Sequence, residues 1–87
     1  MEIKKYRKKI DKIDRKIADL FAKRMKCSGE IGKFKKENGI KITDGNREAE
    51  VVANVRSAAG EYADHAEELY MKIFEISKKY QGETEKK

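Results

Sequence analysis

The chain contains no proline, no tryptophan and only one cysteine among its 87 residues. The absence of proline, with six glycines, excludes collagen-like and Pro/Gly-rich disordered sequences. The lone Cys27 excludes an intramolecular disulfide framework and a cysteine-rich metal site. No run of about 18 apolar residues occurs, so we expect no membrane span. Because the N-terminal residues are charged and the cysteine count fits a reduced compartment, we expect a cytoplasmic protein.

The composition is rich in charge and poor in apolar residues. Charged residues make up 44% of the chain and apolar residues 38%, which leaves a thin core for one short chain. This balance favours self-association. Lys and Arg number 22 against 16 Asp and Glu, a net charge of +6. The excess predicts an anionic partner, and nucleic acid, anionic lipid and a small polycarboxylate all stay open.

Apolar residues recur at helical spacing in three stretches, and no stretch alternates with the period of two that a strand requires. The first stretch runs from Ile3 to Asn38 with apolar positions spaced by three and four residues. One helix of that length is about 54 Å long, more than the diameter of so small a domain. We therefore expect a helix of another chain to cover part of it. The positions with this spacing form a seam along one face of the helix. The seam comprises Ile3, Tyr6, Ile10, Ile13, Ile17, Leu20, Arg24, Cys27, Ile31 and Phe34.

Glycines and small polar residues separate the three stretches. Gly39 is placed to end the first helix and Gly60 to end the second. Thr43 or Asp44 can cap the second helix, and Asp64 can cap the third. The sequence therefore predicts an all-α fold.

Within that fold we expect a single helical domain over residues 1–82 and a disordered tail over 83–87. Gly29 and Gly32 lie inside the first helix, where each costs about 1 kcal/mol relative to alanine. They either permit close packing or mark a weak point.

Three cationic residues occupy positions that matter for a binding site. Arg24 stands in the seam where Leu or Ile is expected, and a buried guanidinium is costly without an anion. It either reaches water, pairs with a structural carboxylate or binds an anionic ligand.

Lys35 lies 11 residues beyond Arg24, on nearly the same face and about 16 Å away. Arg7 is about 42 Å from Lys35 along one helix, so a small ligand can contact both only if an antiparallel second chain supplies Arg7. The pattern alone favours solvent for Arg7 and Lys35.

Polar residues also mark the second and third helices. The segment from Asp44 to Glu48 opens the second helix, where exposed amides attract anions. Arg47 can bind a carboxylate and Glu48 can accept from a hydroxyl, although ordinary capping is the simpler interpretation. Ser77 and Gln81 lie one turn apart on the apolar stripe of the third helix and need partners if buried. They either link helices or line a polar pocket. No cofactor or metal motif is present, so we expect neither.

The order and spacing of these residues are similar to those of a known family. The fragments are RKKIDKIDRKI at residues 7–17, LFAKR at 20–24, IGKFK at 31–35, DGNRE at 44–48 and FEISKKYQ at 74–81. Together they cover nearly the whole chain and resemble AroQ-type chorismate mutases. One departure is Gly45, where many relatives have proline after the aspartate, which would preset the first helical turn.

The resemblance implies an intertwined all-α homodimer, with three helices per chain and the long first helices paired. It implies a cofactor-free enzyme of aromatic amino-acid biosynthesis, the pathway to phenylalanine and tyrosine, that rearranges chorismate to prephenate in two pockets shared between chains. It implies, from one chain, the catalytic residues Lys35, Glu48 and Gln81 and the substrate-binding residues Arg24, Asp44, Arg47 and Ser77, with Arg7 from the other chain.

Within such a site we expect Lys35 and Gln81 to address the ether oxygen of the substrate, and Arg47 to support Glu48 as acceptor for the ring hydroxyl. Two alternatives remain. Isochorismate-pyruvate lyases resemble the same scaffold. A basic helical dimer can also bind nucleic acid through lysine-rich faces, with an affinity that falls steeply with salt. The lysines considered for that role are Lys33, Lys35, Lys36 and Lys41.

Overall fold

The structure, a computed structural model, describes residues 2–83, and over that range it confirms the expected all-helical fold. Within these residues there is no strand and no helix long and apolar enough to cross a membrane. The expected tail is wrong at Glu83, which belongs to the last helix, and its residues 84–87 lie outside the described residues. The elements are α1 (Ile3–Glu37), α2 (Gly45–Ala59), a 3₁₀ turn (Gly60–Tyr62) and α3 (Ala63–Glu83).

The first two helices end where glycine permits a left-handed backbone. α1 is capped by Asn38, and Gly39 follows it with a φ of 65°. Gly60, with a φ of 59°, ends α2. Of the two residues considered for the start of α2, Asp44 is the cap, because its carboxylate accepts a hydrogen bond of 3.1 Å from the Arg47 backbone N–H. The predictions for the two glycines and for the cap of α2 are therefore confirmed.

The predicted cap of α3 is wrong. α3 begins at Ala63, directly after the 3₁₀ turn, so Asp64 lies inside the first turn. Ala63 already has helical dihedrals, and the chain enters α3 without the extended residue that a cap requires. Asp64 instead pairs with Arg56 of α2 at 3.0 Å, and Glu67 pairs with the same guanidinium at 2.7 Å.

This cluster joins α2 to α3 beside the turn. The hydrogen bonds of Asp64 and Glu67 to the Arg56 guanidinium hold the pKa of Arg56 above its ordinary value. α2 and α3 run antiparallel from this point. The start of α2 therefore lies beside the last turns of α3, where the polar residues of both helices meet.

α1 approaches α3 closely at its two internal glycines. A Cβ on Gly29 would lie 2.9 Å from Cε2 of Tyr80, and one on Gly32 would lie 2.8 Å from Cγ of Gln81. The glycines therefore permit close packing, the first of the two possibilities left open by the sequence. This contact brings the C-terminal half of α1 against the end of α3.

Nothing within residues 2–83 covers the N-terminal half of α1 in this way. The molecule measures 55 × 25 × 15 Å, so its smallest dimension is little more than one helix diameter. Among residues 2–82, Phe74 is the one buried apolar side chain. The seam side chains of α1 that are half or more exposed are Ile3, Tyr6, Ile10, Ile13, Ile17, Leu20, Ile31 and Phe34.

Candidate active site

A cavity of about 270 Å³ lies where α1, the loop before α2, the first turns of α2 and the end of α3 meet. It brings together all seven site residues that were expected from one chain. These are Arg24, Lys35, Asp44, Arg47, Glu48, Ser77 and Gln81. The other lining residues are Cys27, Ser28, Ile31, Ile42, Val51, Phe74 and Lys78.

Arg24 is partly buried in this cavity by aromatic and polar neighbours. Its guanidinium donates a hydrogen bond of 3.2 Å to Oγ of Ser77 and lies 5.6 Å from the ring centre of Tyr70 and 5.9 Å from that of Phe74. Within residues 2–82 no carboxylate forms an ion pair with it. A structural carboxylate is therefore excluded as its partner over that range, and the cavity is left with an unbalanced cation that an anionic ligand can satisfy.

Lys35 faces the same cavity, although the pattern alone favoured solvent. Its ammonium donates a hydrogen bond of 3.1 Å to the carbonyl of Ile42, which lies in the loop that folds back over the end of α1. An ammonium has three N–H donors, so this bond holds the charge in place and leaves donors for a ligand. Lys33 and Lys36 line a separate surface depression. Lys35 therefore does not share a face with these two other lysines of the nucleic-acid alternative.

Gln81 is buried where α3 meets α1. Its Nε2 donates a hydrogen bond of 2.8 Å to the carbonyl of Ser28 in α1, and Gly32 lies directly beneath the base of its side chain. The bond and the close contact fix the direction of the amide. Gln81 therefore links α3 to α1 and also lines the cavity, so both interpretations offered by the sequence apply to it.

This packing predicts that Gly32→Ala is more harmful than Gly29→Ala. The new methyl group at residue 32 would lie 2.8 Å from Cγ and 3.0 Å from Cβ of Gln81, atoms too near the backbone to swing away. Overpacking of this kind costs about 1–3 kcal/mol. A displaced amide also lowers the turnover number, by up to about 10²-fold for a shift of about 1 Å. Urea denaturation and kcat measure the two effects.

Gly29→Ala is the matched control, because its methyl group meets only the outer ring of the exposed Tyr80, which can rotate. Alanine also gains up to about 1 kcal/mol of helix propensity at this position. We expect unchanged kcat and equal or higher stability. Equal behaviour of the two variants would contradict the proposed packing of Gln81.

The ion pairs at the start of α2 differ from the expected ones. Arg47 lines the cavity, but its guanidinium pairs with Glu50 one turn along the surface of α2. The Glu48 carboxylate instead pairs with Lys78 of α3 at 3.2 Å. The expectation that Arg47 supports Glu48 is therefore wrong. The reason is that residues 47 and 50 share one helix face, whereas residue 48 faces α3.

Lys78 is the charged cavity residue that sequence reasoning missed. A signal for it was available, because Lys78 follows Phe74 by four residues and precedes Gln81 by three. This spacing puts it beside the apolar stripe of α3. Lys79 follows it directly, and such a pair of lysines is typical of a solvated helix face.

The loop before α2 also lets us predict the effect of the one departure from the family pattern. Gly45 is the first residue of α2, Asp44 before it is extended with a φ of −134° and a ψ of 93°, and a Cβ at residue 45 meets no atom within 4 Å. Proline fits such a position. We expect Gly45→Pro to stabilise the fold by about 0.4–1 kcal/mol, because it restricts the unfolded chain. The midpoint of urea denaturation measures this, and a lower midpoint than that of wild type would contradict it.

Arg7 is the predicted residue that a single chain does not bring to the cavity. It lies in the exposed N-terminal half of α1, 17 residues and about 25 Å along the helix from Arg24. The described residues contain no group of three His, Cys, Asp or Glu side chains that could hold a metal ion.

Comparisons with known proteins agree with this geometry. A sequence model of the family described as "Chorismate mutase type II" matches residues 6–82. A protein of Methanocaldococcus jannaschii named "Chorismate mutase" is 35% identical, over 93% of this chain and 89% of its own. The structure of a conserved hypothetical protein from Pyrococcus furiosus is 43% identical and superposes with a TM-score of 0.74, over 91% of this chain and 93% of its own. The chain therefore belongs to the type II chorismate mutase family and is an isomerase of the all-α, AroQ type.

Proposed function

We propose that this chain rearranges chorismate to prephenate in the cavity between α1, α2 and α3. Chorismate carries two carboxylates, a ring hydroxyl and an enolpyruvyl ether. The observation that carries the proposal is that Arg24 and Lys35 line the same cavity. Within residues 2–82 no carboxylate forms an ion pair with either of them. A compact dianion supplies the missing charge.

Each group of the substrate has a counterpart in the proposed site. Arg24, with Ser77 beside it, binds one carboxylate, and Arg7 of a second chain binds the other. Lys35 and Gln81 donate hydrogen bonds to the ether oxygen. The ring hydroxyl needs a hydrogen-bond acceptor. The segment at the start of α2 supplies it, through the carboxylate of Glu48 and the backbone of Asp44. Arg47 contributes to the wall of the cavity beside them.

The reaction needs positioning and charge stabilisation rather than a transferred proton. The ether C–O bond breaks while a C–C bond forms within the same molecule, in one cyclic shift of electron pairs. A cavity that holds the folded conformer removes the entropy of reaching it. As the C–O bond breaks, negative charge grows on the ether oxygen, and preoriented donors stabilise it. Lys35 and Gln81 are such donors, since each is held by a backbone carbonyl.

A homodimer is part of the proposal. A second long helix laid antiparallel on α1 would cover its exposed seam and carry Arg7 toward the cavity of the first chain. The exposed apolar residues of α1 support this, because they continue into an apolar hollow between α1 and α3. That hollow includes Ile17, Leu20, Phe21, Leu69, Ile73 and Ile76. We further propose a cytoplasmic role in the synthesis of phenylalanine and tyrosine, for which prephenate is a precursor.

The test is incubation of the purified chain with chorismate and, separately, with isochorismate at several protein concentrations. We expect prephenate as the product from chorismate and a specific activity that falls when dilution separates the dimer. Release of pyruvate from isochorismate, with chorismate unchanged, would instead support the lyase. If neither substrate is consumed, the proposal is wrong.

A further inference from the structure

An ion pair between α2 and α3 stands at the wall of the cavity. Nζ of Lys78 lies 3.2 Å from Oε2 of Glu48, and both residues line the cavity. The exposed fractions of the two side chains are 38% and 28%, so the pair is neither buried nor a freely solvated surface contact. It connects α2, which Asp44 caps, to α3, which carries Ser77 and Gln81.

The geometry explains why Glu48 depends on this lysine. Glu48 lies in the first turn of α2, where three side-chain dihedrals leave the carboxylate free to turn toward water. The nearest cation along its own helix, Arg47, is held by Glu50 on another face. Lys78 comes from a different helix, so its position relative to Glu48 is set by the packing of α2 on α3.

We infer that Lys78 is a positioning residue, which holds the Glu48 carboxylate at the cavity wall as the acceptor for the ring hydroxyl of the substrate. This inference rests on the proposed function. The ion pair engages Oε2, and the carboxylate has a second oxygen that can accept from a hydroxyl. Lys78 also balances the charge of Glu48, which would otherwise repel a dianionic ligand in the same cavity.

A direct contact of Lys78 with a substrate carboxylate is the competing role, and a double-mutant cycle separates the two. The cycle compares wild type, Glu48→Gln, Lys78→Met and the double variant, with kcat and KM for chorismate measured for each. If Lys78 acts through Glu48, Lys78→Met lowers kcat/KM by about 10-fold in the wild type, on the scale of a misplaced positioning group. It then has little further effect once Glu48 is glutamine, which shows as non-additivity.

Two more variants distinguish positioning from general damage to the fold. Lys78→Arg keeps the charge and the reach, so we expect it to retain activity within about 3-fold. Lys79→Met removes the neighbouring exposed lysine and is the matched control, with unchanged kcat and KM expected. Helix content by circular dichroism and the urea midpoint are measured for all variants.

A substrate analogue provides an independent readout. With the ring hydroxyl replaced by hydrogen, the acceptor has no partner, so Lys78→Met should lower turnover of this analogue far less than that of chorismate. Effects of Glu48→Gln and Lys78→Met that multiply, or an equal loss with the analogue, would overturn the inference while the proposed function stands. A wild-type chain that leaves chorismate unchanged would overturn the proposed function itself.

Discussion

Replacement of Lys35 by alanine is expected to lower kcat by about 10²-fold or more, on the scale of losing one oxyanion-hole donor. Lys35 brings a full positive charge into the cavity, and the Ile42 carbonyl holds its ammonium at 3.1 Å. In the proposed reaction that charge is needed most when the ether bond is breaking. The loss should therefore appear in kcat more than in KM. Steady-state measurement of chorismate consumption gives both constants.

Lys33→Ala is the control for this variant, because it removes an exposed lysine of α1 that lines a separate depression. We expect its kinetics to match those of wild type. The hydrogen bond to Ile42 contributes about 1 kcal/mol to stability, so Lys35→Ala should remain folded, as circular dichroism can check. Turnover near the wild-type value in folded Lys35→Ala would refute the role of Lys35.

The fold was largely predictable because its signals are local. Helical periodicity, the glycines at residues 39 and 60 and the aspartate at residue 44 act within a few residues of their own positions. Asp64 shows where local signals end. Its residue type suits a helix cap, but a 3₁₀ turn already carries the chain into α3, and its carboxylate turns to Arg56.

The site was predictable from the pattern only in part. Periodicity put Arg24, Ser77 and Gln81 on apolar faces, where each required a partner. It favoured solvent for Lys35, since the loop that folds back to offer the Ile42 carbonyl has no periodic signature. The resemblance to a family, rather than the pattern, indicated that these residues act together.

Neither the periodicity of the sequence nor the family resemblance predicted the ion pair of Glu48 with Lys78. Which cation reaches Glu48 depends on how far α2 has shifted along α3, and a shift of one turn is about 5.4 Å, enough to exchange partners. At the opposite end of these two helices, the short turn and the ion pairs of Arg56 join α2 to α3. The number of residues between Glu48 and Lys78 therefore does not predict that their side chains meet.

Complementation between two inactive variants is the second large expected effect, and it tests the shared site directly. In the proposed dimer each cavity uses Lys35 of one chain and Arg7 of the other. Arg7→Ala homodimers and Lys35→Ala homodimers therefore both have two defective sites. When the two variants are unfolded together and refolded in equal amounts, half of the dimers are mixed. In each mixed dimer one site carries both substitutions and the other carries neither, so about a quarter of wild-type activity should return.

The matched control mixes Arg24→Ala with Lys35→Ala, whose substituted residues line the same cavity of one chain. Every site of that mixed dimer keeps one defect, so its activity should stay near that of the parents. This contrast excludes general stabilisation by mixing as the cause of recovery. Full activity of Arg7→Ala alone, or no recovery when it is mixed with Lys35→Ala, would mean that Arg7 does not cross to the neighbouring cavity. The geometry of the single chain favours crossing, because α1 is one unbroken helix and about 25 Å of it separates Arg7 from Arg24.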